Sequence, residues 1–315
     1  MKTRDIYRFN GFRTIALAAT SLISATGFFW PFFSSENKSS FFFWLATPLA
    51  LFLLLALIGQ ANLDAKSLAL LAVLSAIIAA LRPLGAGAAG IEPMWFLLIL
   101  SSFVFGSSFG FLLGVQSMLL SAFLTGGFGP WLPYQIFAAG WIGLLAGAIP
   151  KVKRFQIPVI AISSLVLAEL FGILMDLQFW PWAFGPKTQL SYIPGAAISE
   201  NINRFIAYHV ATSMAWNVPR AIFTALLIVA VGPGVMKALQ RTARKAAFES
   251  EIKLRENIKS GLTKFLNILH QPYCGKIPIE ITAEAKTKEL TDFFNFFTFF
   301  SIFTSALLSL DSIVL

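Results

Sequence analysis

The chain has 315 residues, of which 57% are hydrophobic and only 12% charged. Soluble domains run at about 45–50% apolar and about 25% charged, so this composition excludes an ordinary water-soluble enzyme. The net charge of +9 would point to nucleic acid in a soluble protein. Here the basic residues flank apolar runs, where topogenic and lipid-headgroup roles account for them, and no aromatic-basic RNA motif is present. The partner read from charge is the membrane, with no nucleic acid.

Apolar runs fall at about 14–30, 41–58, 67–82, 91–106, 109–125, 134–149, 157–177 and 210–231. They are continuous rather than alternating and reach the length needed to cross a hydrocarbon core of about 30 Å. Backbone groups in such a core must bond within their own segment, so the runs predict helices. The fourth and fifth runs meet at Gly106-Ser107-Ser108, which predicts a tight turn between two helices. Basic residues precede the first run as in a signal sequence. No small-x-small cleavage site leads into a polar mature region, so that run reads as a retained anchor.

With the N-terminus cytoplasmic, the inner loops carry Lys2, Arg4, Arg8, Arg13, Lys66, Lys151, Lys153, Arg154, Lys237, Arg241, Arg244 and Lys245. The outer loops carry Lys38, Arg82, Lys187 and Arg204. Twelve against four is the bias of the positive-inside rule. The prediction is a multi-pass cell-membrane protein with eight spans.

The outer loops are rich in turn formers. Arg82 to Pro93 and Thr125-Gly-Gly-Phe-Gly-Pro-Trp-Leu-Pro133 are glycine-rich, and a third, about 178–209, opens with Gln178-Phe-Trp-Pro-Trp182. Glycine permits the turns and proline stiffens them, so three such loops predict a mouth over one end of the bundle. Aromatic faces with polar edges suit an organic ligand. Trp180 and Trp182 fit either that mouth or an interfacial aromatic belt. Gly129, Pro130 and Trp131 read as binding or loop-shaping residues.

Charges inside a bilayer are costly and are functional or paired. Glu169 and Asp176 stand seven residues apart, hence on one helix face with Gly172 between them. Asp176 is placed near the outer end, as a ligand contact or a paired terminus. Arg220 is expected to pair Glu169 or Asp176 as a clamp, or else to face an anionic group, and Arg82 to pair Glu92. Trp216 and Asn217 are the ligand candidates on the last helix. Ala72, Ala76 and Ala80 make a small-residue stripe for close helix approach, within the bundle or by another subunit.

Little supports catalysis or an intrinsic cofactor. There is no Gly-x-x-x-x-Gly-Lys-Ser/Thr phosphate loop. His209 and His270 are the only histidines, neither with a second ligand at metal spacing. The single cysteine, Cys274, has no internal disulfide partner. No Asp-rich helix pair for Mg²⁺ is visible. The rival class is an intramembrane enzyme on a lipid or isoprenoid substrate, using Glu169, Asp176, Asn217 and Arg220. A stand-alone secondary carrier would need inverted halves, and none is visible.

Residues 246–264 are amphipathic and charged, as in a surface helix. Gln271-Pro-Tyr-Cys-Gly275 then makes a turn, and a phenylalanine-rich run at about 291–310 is long enough to span or to lie in the interface. The division is therefore 1–65 with two extra transmembrane helices, 66–236 as a six-helix core, and 237–315 as a basic tail.

Segment 66–245 resembles the substrate-binding (S) subunit of an energy-coupling-factor (ECF) vitamin transporter. The resemblance rests on six core helices, the alanine stripe, Phe105-Gly-x-x-Phe-Gly-Phe-Leu-Leu-Gly114, and the string from Thr125 to Gln135 followed by Ala139-Gly-Trp141. Pro219-Arg-Ala221 and Gly232-Pro-Gly-Val-Met-Lys-Ala-Leu239 fit the same group. The Gly-Gly-x-Gly-Pro-Trp-x-Pro-x-Gln string is the specific part. What the resemblance implies is a six-helix bundle that takes a micronutrient from outside. It would dock on a transmembrane scaffold (T) subunit through Ala72, Ala76 and Ala80, with two cytoplasmic ATPases driving an ABC-type import. The pocket would draw on Glu92, Gly129, Pro130, Trp131, Tyr134, Gln135, Asp176, Trp180, Trp216 and Asn217. The glycine-proline-tryptophan loop is most similar to the cobalamin and cobalamin-precursor branch, which makes a cobalamin the expected substrate.

Overall fold

The computed structural model describes residues 11–33, 47–52, 65–85, 90–152, 154–183 and 188–244. Its helices are α1 (Gly11–Phe29), α2 (Ala65–Leu81), α3 (Met94–Phe105), α4 (Ser107–Thr125), α5 (Leu132–Ala148), α6 (Gln156–Ala183), α7 (Ile198–Thr212) and α8 (Met214–Ala230). Helical turns also occur at 47–52 and 232–244. No strand occurs among the described residues. The protein is an all-α membrane protein.

Among the described residues, four helices are long and apolar enough to cross a membrane, and α7 with α8 make a fifth span if the bent pair is taken as one. The other two apolar helices, α3 and α5, are shorter. All twelve residues of α3 are buried. A helix apolar all round belongs inside a bundle, and α3 packs against α2, α4, α5, α6 and α8. At 1.5 Å per residue it is about 18 Å long, less than a hydrocarbon core, so protein rather than lipid is its solvent.

The turn expected at Gly106 is present. Gly106 has φ 98° and ψ 170° and separates α3 from α4 by one residue, a conformation that an L side chain resists. The tightest pair is α4 against α5. A Cβ on Gly110 would overlap the carbonyl oxygen of Gly143, one on Gly143 that of Gly110, and one on Gly114 that of Ala139. The four-residue glycine spacing in the Phe105–Gly114 motif is thus a seam where two backbones touch.

The helix α1 docks on α5 and α6. Ala16, Thr20, Ser24 and Phe28 recur every four residues and are all buried. Phe28 meets Tyr134 edge-on at 5.0 Å and Trp141 at 5.3 Å, and the Trp141 indole donates to Ser21 at 3.2 Å. Thr47 donates to the Ser24 carbonyl at 3.3 Å. The rest of the second expected N-terminal span, 41–58, lies outside the described residues apart from 47–52, as does everything from 245 onward. On 232–244, Met236, Leu239 and Ala243 join the core while Lys237, Arg241 and Arg244 are exposed.

Two boundaries differ from expectation. The helix α6 does not stop at 177 but runs through Pro181 to Ala183. At 28 residues it is about 42 Å long, more than the thickness of a hydrocarbon core. The region expected as an outer loop, 178–209, contains α7, which meets α8 at a 67° bend at Ser213. Here α7 is two-sided. Asn201, Phe205, Tyr208 and His209 are buried, whereas Ile198, Ile202, Ile206 and Val210 are exposed.

Candidate functional site

The polar residues near the start of α3 and on α8 form one network, and those near the ends of α2, α4 and α5 a separate set. Pro93 caps α3, and the turn before it lies against the start of α8. There a Cβ on Gly90 (φ 81°) would overlap the Trp216 carbonyl oxygen. That close approach carries Glu92 to Arg220. The Arg220 guanidinium donates from Nε and Nη2 to the two Glu92 oxygens, both at 3.2 Å, and from Nη1 to Asn217 Oδ1 at 2.8 Å. The Trp95 indole donates to the same carboxylate at 2.5 Å. The guanidinium lies 5.6 Å from the Phe171 ring centroid, and Phe171 packs 4.3 Å from Trp95. The Arg220 side chain is 8% exposed, so this bidentate pair is what makes a charge tolerable there.

Asn217 fits against Gly172 of α6, where any Cβ would overlap its amide. Its Nδ2 is buried with no hydrogen-bond partner among the described residues. Nearby on the chain, Arg82 donates to Gln135 at 2.9 Å and to Ser121 at 3.1 Å. Arg82 thereby ties the end of α2 to α4 and α5.

A second cluster lies along α6. The His209 ring nitrogens sit 2.5 Å from Asp176 Oδ2 and 2.6 Å from Glu169 Oε1, and Ser213 donates to Asp176 Oδ1 at 2.7 Å. A third is aromatic. Fully buried Trp180 donates to the Leu190 carbonyl at 2.7 Å and packs on Tyr192 and Phe205, with Trp30 and Phe32 beside it. Outside the spans, burial alone raises the Tyr192 hydroxyl's pKa.

The residues named from sequence therefore separate. Glu92 and Asn217 share the Arg220 network, with Trp216 beside it and 40% exposed. Gln135 is held by Arg82. Asp176 belongs to the His209 cluster and Trp180 to the aromatic one. Tyr134 points into the α1 contact and is wholly buried. Trp131 folds over Gly129, after Pro130, and is 45% exposed. Ala72, Ala76 and Ala80 are exposed, while Leu71, Leu74, Ser75, Ile78 and Ala79 face inward.

Two pairings were expected otherwise. Arg220 bonds Glu92, not Glu169 or Asp176. Arg82 bonds Ser121 and Gln135, although Glu92's charge acts on it. The cause in each case is the Gly90 turn, which brings Glu92 to α8. His209 carried no expected partner, yet it bridges the two α6 carboxylates. Their seven-residue spacing, about 10.5 Å of helix, was the available signal, since it leaves room for one imidazole between them. Among the described residues no group of histidine, cysteine and carboxylate side chains is arranged to hold a metal.

The family model of the ECF transporter substrate-specific component matches residues 66–232, more than half of the 315. No curated protein and no solved structure gives a significant match. The matched stretch takes in α2 through α8, hence both polar clusters and the exposed alanines. The chain belongs to the family of ECF transporter substrate-specific components, membrane subunits that bind the substrate of an ECF transporter.

Proposed function

We propose that the chain captures a vitamin from outside the cell and hands it on by docking to an ECF scaffold subunit powered by two cytoplasmic ATPases. The observation that carries this reading is the family match over residues 66–232. A cobalamin or a cobalamin precursor is the substrate we favour. The support is the Gly129-Pro130-Trp131 turn, which offers an exposed indole face to a large amphiphilic ligand. Half-exposed Trp216, beside the Glu92–Arg220–Asn217 network, offers a second aromatic face at the start of α8. Docking is assigned to Ala72, Ala76 and Ala80. The contrast with α1 supports it: Ala16, Thr20 and Ser24 of α1 are used up inside the bundle, whereas Ala72, Ala76 and Ala80 of α2 face outward. The N-terminus is placed in the cytoplasm by the distribution of lysine and arginine.

The rival enzyme needs free polar groups in the bilayer. Glu169, Asp176, Asn217 and Arg220 instead divide between two mutually bonded clusters, which favours a carrier. Titration of the purified full-length protein with cobalamin, a corrinoid precursor and other vitamins, followed by calorimetry, tests the reading. One-to-one binding of a corrinoid without chemical change is expected. Failure to bind any vitamin, with no scaffold subunit co-purifying, overturns it.

A further inference from the structure

We propose that His209 is a one-proton latch that fastens α7 to α6 beside the bend at Ser213, so that losing that proton frees α7. The geometry sets the proton count. Both ring nitrogens lie within 2.6 Å of a carboxylate oxygen, Nδ1 at Asp176 and Nε2 at Glu169. A neutral imidazole has one N–H, and a carboxylate only accepts. Two bonds therefore need two protons among the three groups, as an imidazolium with two carboxylates or as an imidazole with one carboxylic acid. Both arrangements carry a net charge of about −1 by this count. Removing one proton leaves a lone pair facing a carboxylate and two like charges on one helix face, so one link must break.

The surroundings make this proton specific to α7. Glu169 and Asp176 face His209 from α6, and Ser213 bonds Asp176 from the bend. Among the described residues, the further titratable group against the cluster is Tyr208 on α7 itself, close to Asp176. Arg204, one turn earlier, is occupied by Glu200 at 3.0 Å and by the Thr188 carbonyl. No second cation among the described residues is bonded to either carboxylate to replace the imidazolium. The other half of the α6–α7 contact is apolar, Phe205 on Trp180 at 5.3 Å, and does not titrate. The sign follows: the latch is closed while the second proton is bound and opens as pH rises through its loss.

The test is hydrogen–deuterium exchange of the full chain in phosphatidylcholine nanodiscs across about pH 5 to 9, the range in which histidine titrates. Rates are corrected for the intrinsic pH dependence of exchange. Amides of α7 are expected to lose protection by about tenfold or more in one step as pH rises, the loss of a charge-assisted bond, while α8 does not change. His209→Gln should show the low α7 protection at every pH with no step. Glu169→Gln should abolish the step and keep α7 protected at high pH, because its amide can donate to the neutral ring nitrogen and hold the link without the second proton. Flat α7 protection in the wild type overturns the latch, as does wild-type protection in His209→Gln. Should His209→Gln lose α8 protection as well, and so fail to fold, the wild-type profile and Glu169→Gln decide the matter.

Discussion

Arg220 has the most to lose from a change in its surroundings. Its guanidinium is nearly covered and bonds Glu92 twice and Asn217 once. Removing one member of such a pair leaves an uncompensated buried charge, which costs about 3–5 kcal/mol. Arg220→Met and Glu92→Gln should each destabilise the protein by nearly that much in denaturant unfolding. The double variant should recover much of the loss, because both charges are then gone. Strictly additive losses would show that the two are not coupled. Trp131 is the opposite case. Half-exposed on its turn, it contributes little to the fold, so Trp131→Ala should shift stability by no more than about 0.5 kcal/mol. The same change should weaken ligand binding by about 1–3 kcal/mol through the lost stacking face. Unchanged affinity would remove this turn from the site.

At the scale of elements, the two small-residue patterns have different fates. The glycine seam between α4 and α5 brings backbones into contact, so even a methyl group forces the helices apart. Gly143→Ala should cost about 1–3 kcal/mol as an overpacked interface. Gly234→Ala, where nothing lies within 4 Å of the new Cβ, should be neutral or stabilising by up to about 1 kcal/mol. Thermal unfolding of the two variants side by side checks the contrast. The stripe on α2 faces outward. Ala76→Leu should therefore leave stability and ligand affinity unchanged while reducing uptake in cells. Equal damage to binding would place that face inside the bundle.

For the molecule as a whole, apolar length and charge bias made the helical membrane architecture legible. A run of twenty residues without charge has few alternatives. The helix α7 was not legible, because Pro194 and Gly195 mark a turn just before it and its mean hydropathy is low. Its apolar residues divide between an inner face at Phe205 and Tyr208 and an outer one at Ile202 and Ile206. The pairing of charges was legible only as a need for partners. Glu92 is 128 residues from Arg220, and the choice between Arg82 and Arg220 turned on a backbone approach at Gly90 that no spacing announces. Trp180 fitted a mouth or an interfacial belt by type, and Tyr134 was a pocket residue through the resemblance; their partners are Leu190 and Phe205 for one, Phe28 for the other.

The proposed function is capture of a ligand without chemical change, with the energy-consuming step left to other subunits. Mass spectrometry of the small molecules retained by the purified full-length protein tests that most directly. The prediction is one vitamin, corrinoid by preference, recovered chemically intact at about one per chain, the stoichiometry of a single site. Recovery of a lipid or isoprenoid together with its converted product would contradict it.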